Sequence, residues 1–315
     1  MQRGTYRKVA TATLASTIFV ILWGAFVRAT GSGAGCGSHW PMCNGEVVPR
    51  APSISTVVEL THRVTSGALM ILTAVMVVCA FRAFPKGHAA RAASVLSAVF
   101  LVTEALIGAG LVLLEYVADD KRLARGYWVG GHLVNTFLLT GAITLAVWAA
   151  YVNVPLRWAS RYAGRILAAL VFLLAVGVTG SIAALGDTLF PAASLAEGLA
   201  HDLSPGAHLL VRLRVVHPFV AAAGATYLLW VAGTLAQRGG SERTRKVANW
   251  TATLVICQIV AGFINLGLLA PTWMQLVHLL LADGVWIAAV SLGVATSADA
   301  HAGLETADER AAAKV

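Results

Sequence analysis

The chain has 315 residues, of which 58% are hydrophobic and only 12% are charged, and its formal net charge is +8. Together with a mean hydropathy of +0.75, this composition excludes an ordinary soluble domain. The positive charge does not indicate nucleic-acid binding, because that function would need a folded basic surface outside the bilayer.

A helix needs about 20 mostly apolar residues to cross the core of a bilayer. Eight stretches meet this requirement, and they lie at residues 9–29, 57–81, 92–115, 127–151, 162–184, 208–236, 247–269 and 273–296. The first follows three basic residues, but it is long for a signal peptide and lacks a small-x-small cleavage site. The sequence therefore predicts an all-α integral membrane protein with eight transmembrane spans.

Lys and Arg are distributed unevenly between the two sides that these spans define. Fifteen lie at the N-terminus, in the loops after spans 2, 4 and 6, or in the C-terminal tail, and eight lie in the other loops and adjoining span ends. Because short cytoplasmic loops are enriched in Lys and Arg, both termini are predicted to be cytoplasmic. The loop with Cys36 and Cys43 is then at the outer face of the cell (inner) membrane.

The four cysteines fall into two groups. Cys36 and Cys43 lie in an oxidising compartment, where a disulfide can persist, and closing a loop of about eight residues would contribute roughly 2.5 kcal/mol. Two roles stay open for this pair, a structural staple and a redox function. Cys79 and Cys257 lie within predicted spans and are interpreted as small buried hydrophobic residues.

Spans 5 to 8 repeat polar features of spans 1 to 4. The matching residues are Thr30 to Gly33 with Thr179 to Ser181 at the ends of spans 1 and 5, Glu104 and Gly108 with Gln258 and Gly262, His62 with His217, and His132 with His278. Repeats with an even number of spans share one orientation. This predicts two tandem four-helix bundles, at residues 1–155 and 156–315, related by pseudo-two-fold symmetry along the membrane normal.

The four histidines are predicted to lie at similar depth, because all four spans that carry them run from the outer face to the inner face. Two imidazoles on facing helices can ligate a heme iron between them. We therefore expect one heme between His62 and His132 and another between His217 and His278. Zinc is the alternative, but a closed zinc site normally needs four ligands, and only Glu59 offers a nearby carboxylate.

Glu59 distinguishes the two halves. It precedes His62 by three residues, so both side chains share one face of a helix. An acidic group in a membrane span is costly, which makes Glu59 a candidate for catalysis, and pairing with Arg63 is the alternative. Because the second half has Arg214 at the corresponding position, we expect the N-terminal half to carry out chemistry and the C-terminal half to hold a permanent cofactor.

Other polar residues near the outer face have two interpretations each. Arginines suit the propionates of a heme, which need cationic donors, although snorkelling to lipid headgroups is the alternative. The arginines concerned are Arg28, Arg63, Arg212 and Arg214. Glu104 is interpreted mainly as an interhelical hydrogen-bonding residue, because its repeat partner is Gln258.

Two other kinds of membrane protein could use such a pattern. A di-heme electron-transfer protein of the cytochrome b561 kind would use the same histidine pairs, but it predicts hemes at both faces. A heme transporter predicts a midplane site and broken helices, whereas proline lies mainly in loops and near span ends, with Pro218 directly after His217. Both interpretations fit the sequence less well than one site per half at a single face.

Several of these residues together are similar to those of the heme A synthase family. The matching segments are Thr30-Gly31-Ser32-Gly33-Ala34-Gly35-Cys36, Trp40-Pro41-Met42-Cys43-Asn44-Gly45, Glu59-x-x-His62-Arg63, and the single residues His132, His217 and His278. The resemblance covers nearly the whole chain, and the cysteine loop with the Glu-x-x-His-Arg segment is its most specific part.

The resemblance implies oxidation of the methyl group on carbon 8 of heme O to a formyl group, which makes heme A for cytochrome oxidases. It implies that His217 and His278 bind a resident heme b and that His62 and His132 belong to the site of the substrate heme. Glu59 would handle protons beside the reacting heme. The resemblance also implies a disulfide between the cysteines of the first outer loop, with a part in electron or heme delivery.

The resemblance further implies a heme O synthase and an electron donor as partners, and a homo-oligomer is compatible with it. The chain departs from the family in one loop. Many members have a second cysteine pair between spans 5 and 6, but residues 184–207 of this chain contain none. This stretch is long enough for a short interfacial helix, and His201 and His208 are interpreted as solvated residues near its end.

Overall fold

A computed structural model of the chain describes residues 2–152, 160–238 and 240–312, with side chains as far as Ala302. Helices dominate these ranges. They are α1 (Arg3–Ala29), α2 (Ile54–Ala83), α3 (Ala89–Leu113), α4 (Leu123–Ala149), α5 (Ala163–Leu189), α6 (Leu195–Leu203), α7 (Leu209–Arg212), α8 (Val216–Arg238), α9 (Glu242–Gly267) and α10 (Thr272–Ala312).

Eight helical stretches in the described part of the chain are long and apolar enough to cross a membrane, which confirms the eight predicted spans. The short α7, a 3₁₀ turn at Leu213–Val215 and α8 together form the sixth span. Several predicted bounds were too short, since α1 already begins at Arg3 and α9 at Glu242. The fifth span continues to Leu189, and the last helix continues well beyond residue 296.

Serine caps set the start of two long helices. The Ser53 hydroxyl accepts a hydrogen bond from the Thr56 amide at the start of α2, and the Ser241 hydroxyl accepts one from the Thr244 amide at the start of α9. Such caps satisfy an amide that has no partner within the helix. The cap at Ser53 fixes the register of α2, which carries Glu59 and His62.

The sixth span is interrupted just before its histidine. Proline has no amide hydrogen, and its ring clashes with the carbonyl four residues earlier in a regular α-helix. Pro218 has this effect on the turn at Arg214, where the backbone adopts the 3₁₀ conformation of Leu213–Val215. His217 therefore lies at the start of a new helical segment.

The helices have two ends, which we name from what they carry. The disulfide end carries the loops at residues 30–53, 114–122, 190–208 and 268–271, and the termini end carries the remaining loops. At the termini end, the buried Tyr6 hydroxyl contacts the Ser94 hydroxyl at 2.9 Å and donates to the Ala146 carbonyl at 3.2 Å. These contacts connect α1 to α3 and α4.

The N-terminal half (α1 to α4) and the C-terminal half (α5 to α10) share one core. The rings of Phe137 and Trp286 stack with centroids 5.0 Å apart, and the Trp286 indole donates to the Phe137 carbonyl at 2.6 Å. Trp148 likewise donates to the Ser291 hydroxyl at 2.8 Å. The predicted boundary between residues 155 and 156 lies outside the described residues, and the symmetry that relates the halves stays a prediction.

Candidate functional site

All four predicted histidines lie at the disulfide end, within the first three turns of their helices. Their helices are α2, α4, α8 and α10, which begin at this end because the spans alternate in direction. Since none of the four lies at the termini end, the arrangement provides sites at a single face. The structure thus gives no support to a pathway of hemes from one face to the other.

Each imidazole packs against a glycine of the preceding membrane-spanning helix. The pairs, with the distance from imidazole Cε1 to a Cβ built on the glycine, are His62–Gly24 (2.9 Å), His132–Gly108 (3.8 Å), His217–Gly180 (2.9 Å) and His278–Gly262 (3.2 Å). Real Cβ atoms essentially never approach a neighbour closer than 3.0 Å. A Cβ at Gly24 or at Gly180 would therefore force the neighbouring imidazole to shift.

These contacts correct one part of the predicted repeat. Gly24 and Gly180 occupy equivalent places, because each packs against the histidine of the following span. Thr179 to Ser181 lies inside α5, which continues to Leu189, and so does not match the exit at Thr30 to Gly33. The local sequence similarity was misleading, since it reflects a histidine contact in α5 and a turn after α1.

Glu104 and Gln258, which the sequence pairs with each other, each contact the histidine of the following span. The Glu104 carboxylate lies 3.4 Å from Nδ1 of His132, and the Gln258 amide lies 3.2 Å from Nε2 of His278. Glu104 also accepts a hydrogen bond from Asn135 at 2.6 Å and another from the Thr136 hydroxyl. Glu104 therefore connects α3 to α4 by hydrogen bonds, which is the interhelical role predicted for it.

The histidine rings differ in their hydrogen bonds, since the Nδ1 of His217 contacts the Thr179 hydroxyl at 3.2 Å. Nδ1 is buried and without a hydrogen-bond partner in three of the four rings, those of His62, His132 and His278. Among the described residues, no group of three or more His, Cys, Asp or Glu side chains could hold a metal ion, so the ligand set of a closed zinc site is not found there.

The predicted disulfide joins Cys36 and Cys43, and the loop that contains it is packed on the start of α2. Thr56 donates to the Gly35 carbonyl at 2.8 Å. A Cβ at Gly35 would lie 2.4 Å from the backbone of Ser55, so only glycine permits this approach. The loop is thereby fixed to the helix that carries His62.

Glu59 and Arg63 join the disulfide loop to α2. Glu59 is only 3% exposed; one of its oxygens accepts a hydrogen bond from the Cys36 amide at 2.8 Å, and the other accepts one from Arg63 at 3.1 Å. Arg63 also donates to the carbonyls of His39 and Met42, each at 2.7 Å. Pairing of Glu59 with Arg63, the alternative weighed from the sequence, is thus the arrangement observed.

Two of the other predicted propionate donors already have protein partners. Arg28 donates to the Ala184 carbonyl and the Thr188 hydroxyl, each at 2.8 Å, and to the Gln275 side chain at 2.7 Å. Because Gln275 and Thr188 belong to the C-terminal half, Arg28 joins the two halves at the disulfide end.

Arg214 forms ion pairs with Asp187 at 3.2 Å and with Asp202 of α6 at 2.5 Å. Arg212 is exposed and is the best placed of the four arginines to contact another molecule.

Sequence reasoning was wrong or incomplete at three further residues. Cys257 is exposed on α9, although Cys79 is buried as predicted. His208 is not merely solvated, because its ring stacks on Phe190 with centroids 5.2 Å apart. Asp283 was missed: it is fully buried in α10 and neither carboxylate oxygen has a partner, and an aspartate inside a span is in itself a signal of function.

Comparison with known proteins identifies relatives along most of the chain. The model of the COX15-CtaA family, described as a cytochrome oxidase assembly protein, matches residues 7–290. A Thermus thermophilus protein named protoheme IX farnesyltransferase is 46% identical over 291 residues, which cover 92% of this chain but 48% of that relative. This chain therefore spans about half the length of the Thermus protein.

Shorter matches point to a second named activity. A Bacillus cereus heme A synthase is 42% identical over 105 residues, covering 33% of this chain and 34% of the relative. A Bacillus anthracis heme A synthase matches to the same extent.

Proposed function

This chain belongs to the COX15-CtaA family of cytochrome oxidase assembly proteins, and from that membership we propose that it is a heme A synthase. In this function it oxidises the methyl group on carbon 8 of heme O to a formyl group through successive hydroxylation, and heme A is the product. The identity with Bacillus heme A synthases supports this activity over a third of the chain.

One observation carries the proposal. Two histidine pairs lie at the same end of the bundle, and the disulfide loop is fixed to the helix of only one of them through Glu59, Arg63 and Thr56. Two equal electron-transfer sites would have no need of this difference. It is expected when one pair serves a substrate and the other a permanent cofactor.

We assign His217 and His278 to a resident heme b, and His62 and His132 to the substrate heme. The packed glycines and the buried nitrogens without partners fit such ligands. Bound heme supplies the iron chemistry that oxidation of an unactivated methyl group requires and that side chains lack. The protein's own contribution is to orient the four imidazoles. Arg212, which is exposed and precedes His217 by five residues, is the proposed donor to a propionate.

Glu59 is the proposed group that handles a proton at its carboxylate beside the substrate heme. The two bonds from Arg63 and the Cys36 amide orient this carboxylate, and a group held in one rotamer is better placed for proton transfer than a mobile one. The same bonds hold the disulfide loop on α2. Glu59 would therefore have two roles, one in proton transfer and one in holding the disulfide loop on α2.

The isoprenoid tail of heme O needs an apolar environment, which lipid provides at the exposed hydrophobic faces of the helices. Val99 and Leu106 of α3 are examples, exposed by 51% and 59%. A protoheme farnesyltransferase attaches such a tail, so the heme O synthase is the proposed partner. About half of the length of the Thermus relative lies outside the match to this chain. We propose that farnesyl transfer takes place in that part, and this supports the heme O synthase as a partner.

The proposed location is the cell membrane, with both termini in the cytoplasm and the disulfide end at the outer face. The bias of Lys and Arg supports this orientation. We also propose that residues 1–155 form the substrate half and residues 156–315 the heme b half. Each hydroxylation needs an oxidant that supplies the oxygen atom, and this oxidant and the electron donor would both reach the protein from outside the described structure.

The test is to produce the protein in a host that makes heme O but no heme A, and to measure heme A in the membranes by mass spectrometry. Heme A is expected with the wild-type chain. Glu59→Gln is expected to leave both hemes bound and to reduce heme A greatly, because the amide cannot take up a proton as a carboxylate does. Full activity in this variant would remove Glu59 from the mechanism, and no heme A with the wild type would refute the function.

A further inference from the structure

The four histidine–glycine contacts are not equally tight. A Cβ on the glycine would lie 2.9 Å from the ring of His62 and 2.9 Å from that of His217, 3.2 Å from that of His278, and 3.8 Å from that of His132. Distances below 3.4 Å are tighter than nine in ten real Cβ contacts, whereas 3.8 Å is ordinary van der Waals contact. Three imidazoles therefore lie closer to the backbone of the preceding membrane-spanning helix than the imidazole of His132 does.

His132 is also partly exposed, and its unpartnered Nδ1, a feature that His62 and His278 share, lies near a carboxylate. Its side chain is 30% exposed. Its Nδ1 lies 3.4 Å from a Glu104 oxygen, yet it forms no hydrogen bond there. Glu104 itself is fixed by hydrogen bonds from Asn135 and Thr136. Its carboxylate is therefore a fixed acceptor near the ring of His132, but it is not hydrogen-bonded to that ring. The glycine contact of His132 is thus the loosest of the four, and a fixed carboxylate lies near its ring.

We infer that the two heme sites differ in how firmly their ligands are held: His62 is a fixed ligand and His132 an exchangeable one, while both C-terminal histidines are fixed. This inference rests on the proposed function, and it explains how one protein can keep one heme and exchange another. In the C-terminal pair, both rings are held by glycine contacts of 3.2 Å or less. In the N-terminal pair, the site opens when His132 moves away and His62 stays.

The glycines are then positioning residues. A Cβ at Gly24 or Gly180 would overlap the imidazole, and overpacking of this kind corresponds to roughly tenfold or more in binding affinity. A Cβ at Gly108 would meet His132 at a normal distance and displace nothing. The loss of bound heme caused by an alanine substitution is therefore expected to be largest at Gly24 and Gly180 and smallest at Gly108.

The experiment compares alanine variants of these glycines in the purified full-length protein. Heme content is measured by extraction and mass analysis, and the ligation of each heme by electron paramagnetic resonance of the ferric state. Gly180→Ala and Gly262→Ala are expected to lower heme b occupancy or alter its bis-histidine signal, with the larger effect at Gly180. Gly24→Ala is expected to lower substrate-heme occupancy about tenfold or more, whereas Gly108→Ala retains both hemes.

Controls for the general effect of replacing glycine by alanine in a membrane-spanning helix are available in three of the helices that carry the histidines. Gly67 in α2, Gly131 in α4 and Gly233 in α8 have nothing within 4 Å of a built Cβ. Alanine at these positions is expected to leave both heme contents unchanged. A loss of heme in Gly24→Ala that is absent from Gly67→Ala then reports the imidazole contact and not the helix.

A second measurement separates ligand exchange from simple misfolding. Carbon monoxide binds ferrous heme only where an axial ligand leaves, so the wild type is expected to bind it at the substrate heme and not at heme b. His132→Ala is expected to keep the substrate heme in a form that binds carbon monoxide, and His62→Ala to lose that heme.

Equal loss of heme in the two histidine variants, or equal damage by Gly24→Ala and Gly108→Ala, would overturn the inference while leaving the proposed function intact. Absence of a substrate heme from the wild type would instead refute the proposed function.

Discussion

Glu59→Ala is expected to release the disulfide loop. The carboxylate is 3% exposed and holds both the Arg63 guanidinium and the Cys36 amide. Removing one partner of a buried ion pair costs about 3 to 5 kcal/mol, and a buried amide left without an acceptor accounts for about 1 to 3 kcal/mol of such a cost. Taking 3 kcal/mol as the loss, the population with an open loop rises about a hundredfold.

The rate at which a thiol reductant cleaves the disulfide measures this population. Cys36 and Cys43 are both fully buried, so the reductant reaches them only when the loop opens. Reduction, followed by alkylation and mass analysis, is expected to be about a hundredfold faster in Glu59→Ala and less accelerated in Glu59→Gln, which keeps an acceptor. Glu46→Ala, a change at an exposed residue of the same loop, is the control. Equal reduction rates in Glu59→Ala and wild type would refute the reasoning.

Three other perturbations test separate parts of the structure. Trp286→Phe keeps the stacking on Phe137 but removes the hydrogen bond between the halves, and it should destabilise the protein by about 1 kcal/mol in thermal unfolding; Trp250→Phe, at an exposed position, should not. Asp202→Asn weakens the ion pair with Arg214, so amide hydrogen exchange in α6 should accelerate while heme content stays constant. Replacement of both disulfide cysteines by alanine distinguishes their roles: normal turnover with a lower melting temperature indicates a staple, and lost turnover at an unchanged melting temperature indicates a redox function.

Hydropathy was sufficient to predict the spans, because lipid requires long apolar helices regardless of how they pack. It failed where tertiary contacts change the local cost of a charge. Asp187 reads as the end of an apolar stretch, yet α5 continues past it to Leu189 because Arg214 pairs with its carboxylate. Likewise, the sequence does not reveal that Arg214 forms ion pairs, because its partner Asp202 lies on α6, a short helix between α5 and α7.

The candidate ligands could be found from sequence because a histidine recurs near the start of each even-numbered span, and this position needs no knowledge of packing. Their glycine partners could not be identified in the same way. Gly24 lies on a neighbouring helix, and its contact with His62 depends on how closely α1 approaches α2. Glu59 could be identified from the sequence because an acidic group in a membrane span is energetically costly. Its hydrogen bond from the Cys36 amide could not, because it depends on how the loop folds.

The most direct test of the central claim is the identity of the hemes in each half. Hemes are extracted from the purified wild type and from His217→Ala and His62→Ala, and each is identified by mass. Heme b together with heme O or heme A is expected in the wild type, with heme b lost in His217→Ala and retained in His62→Ala. Heme b alone in both halves would contradict this expectation and would identify an electron-transfer protein.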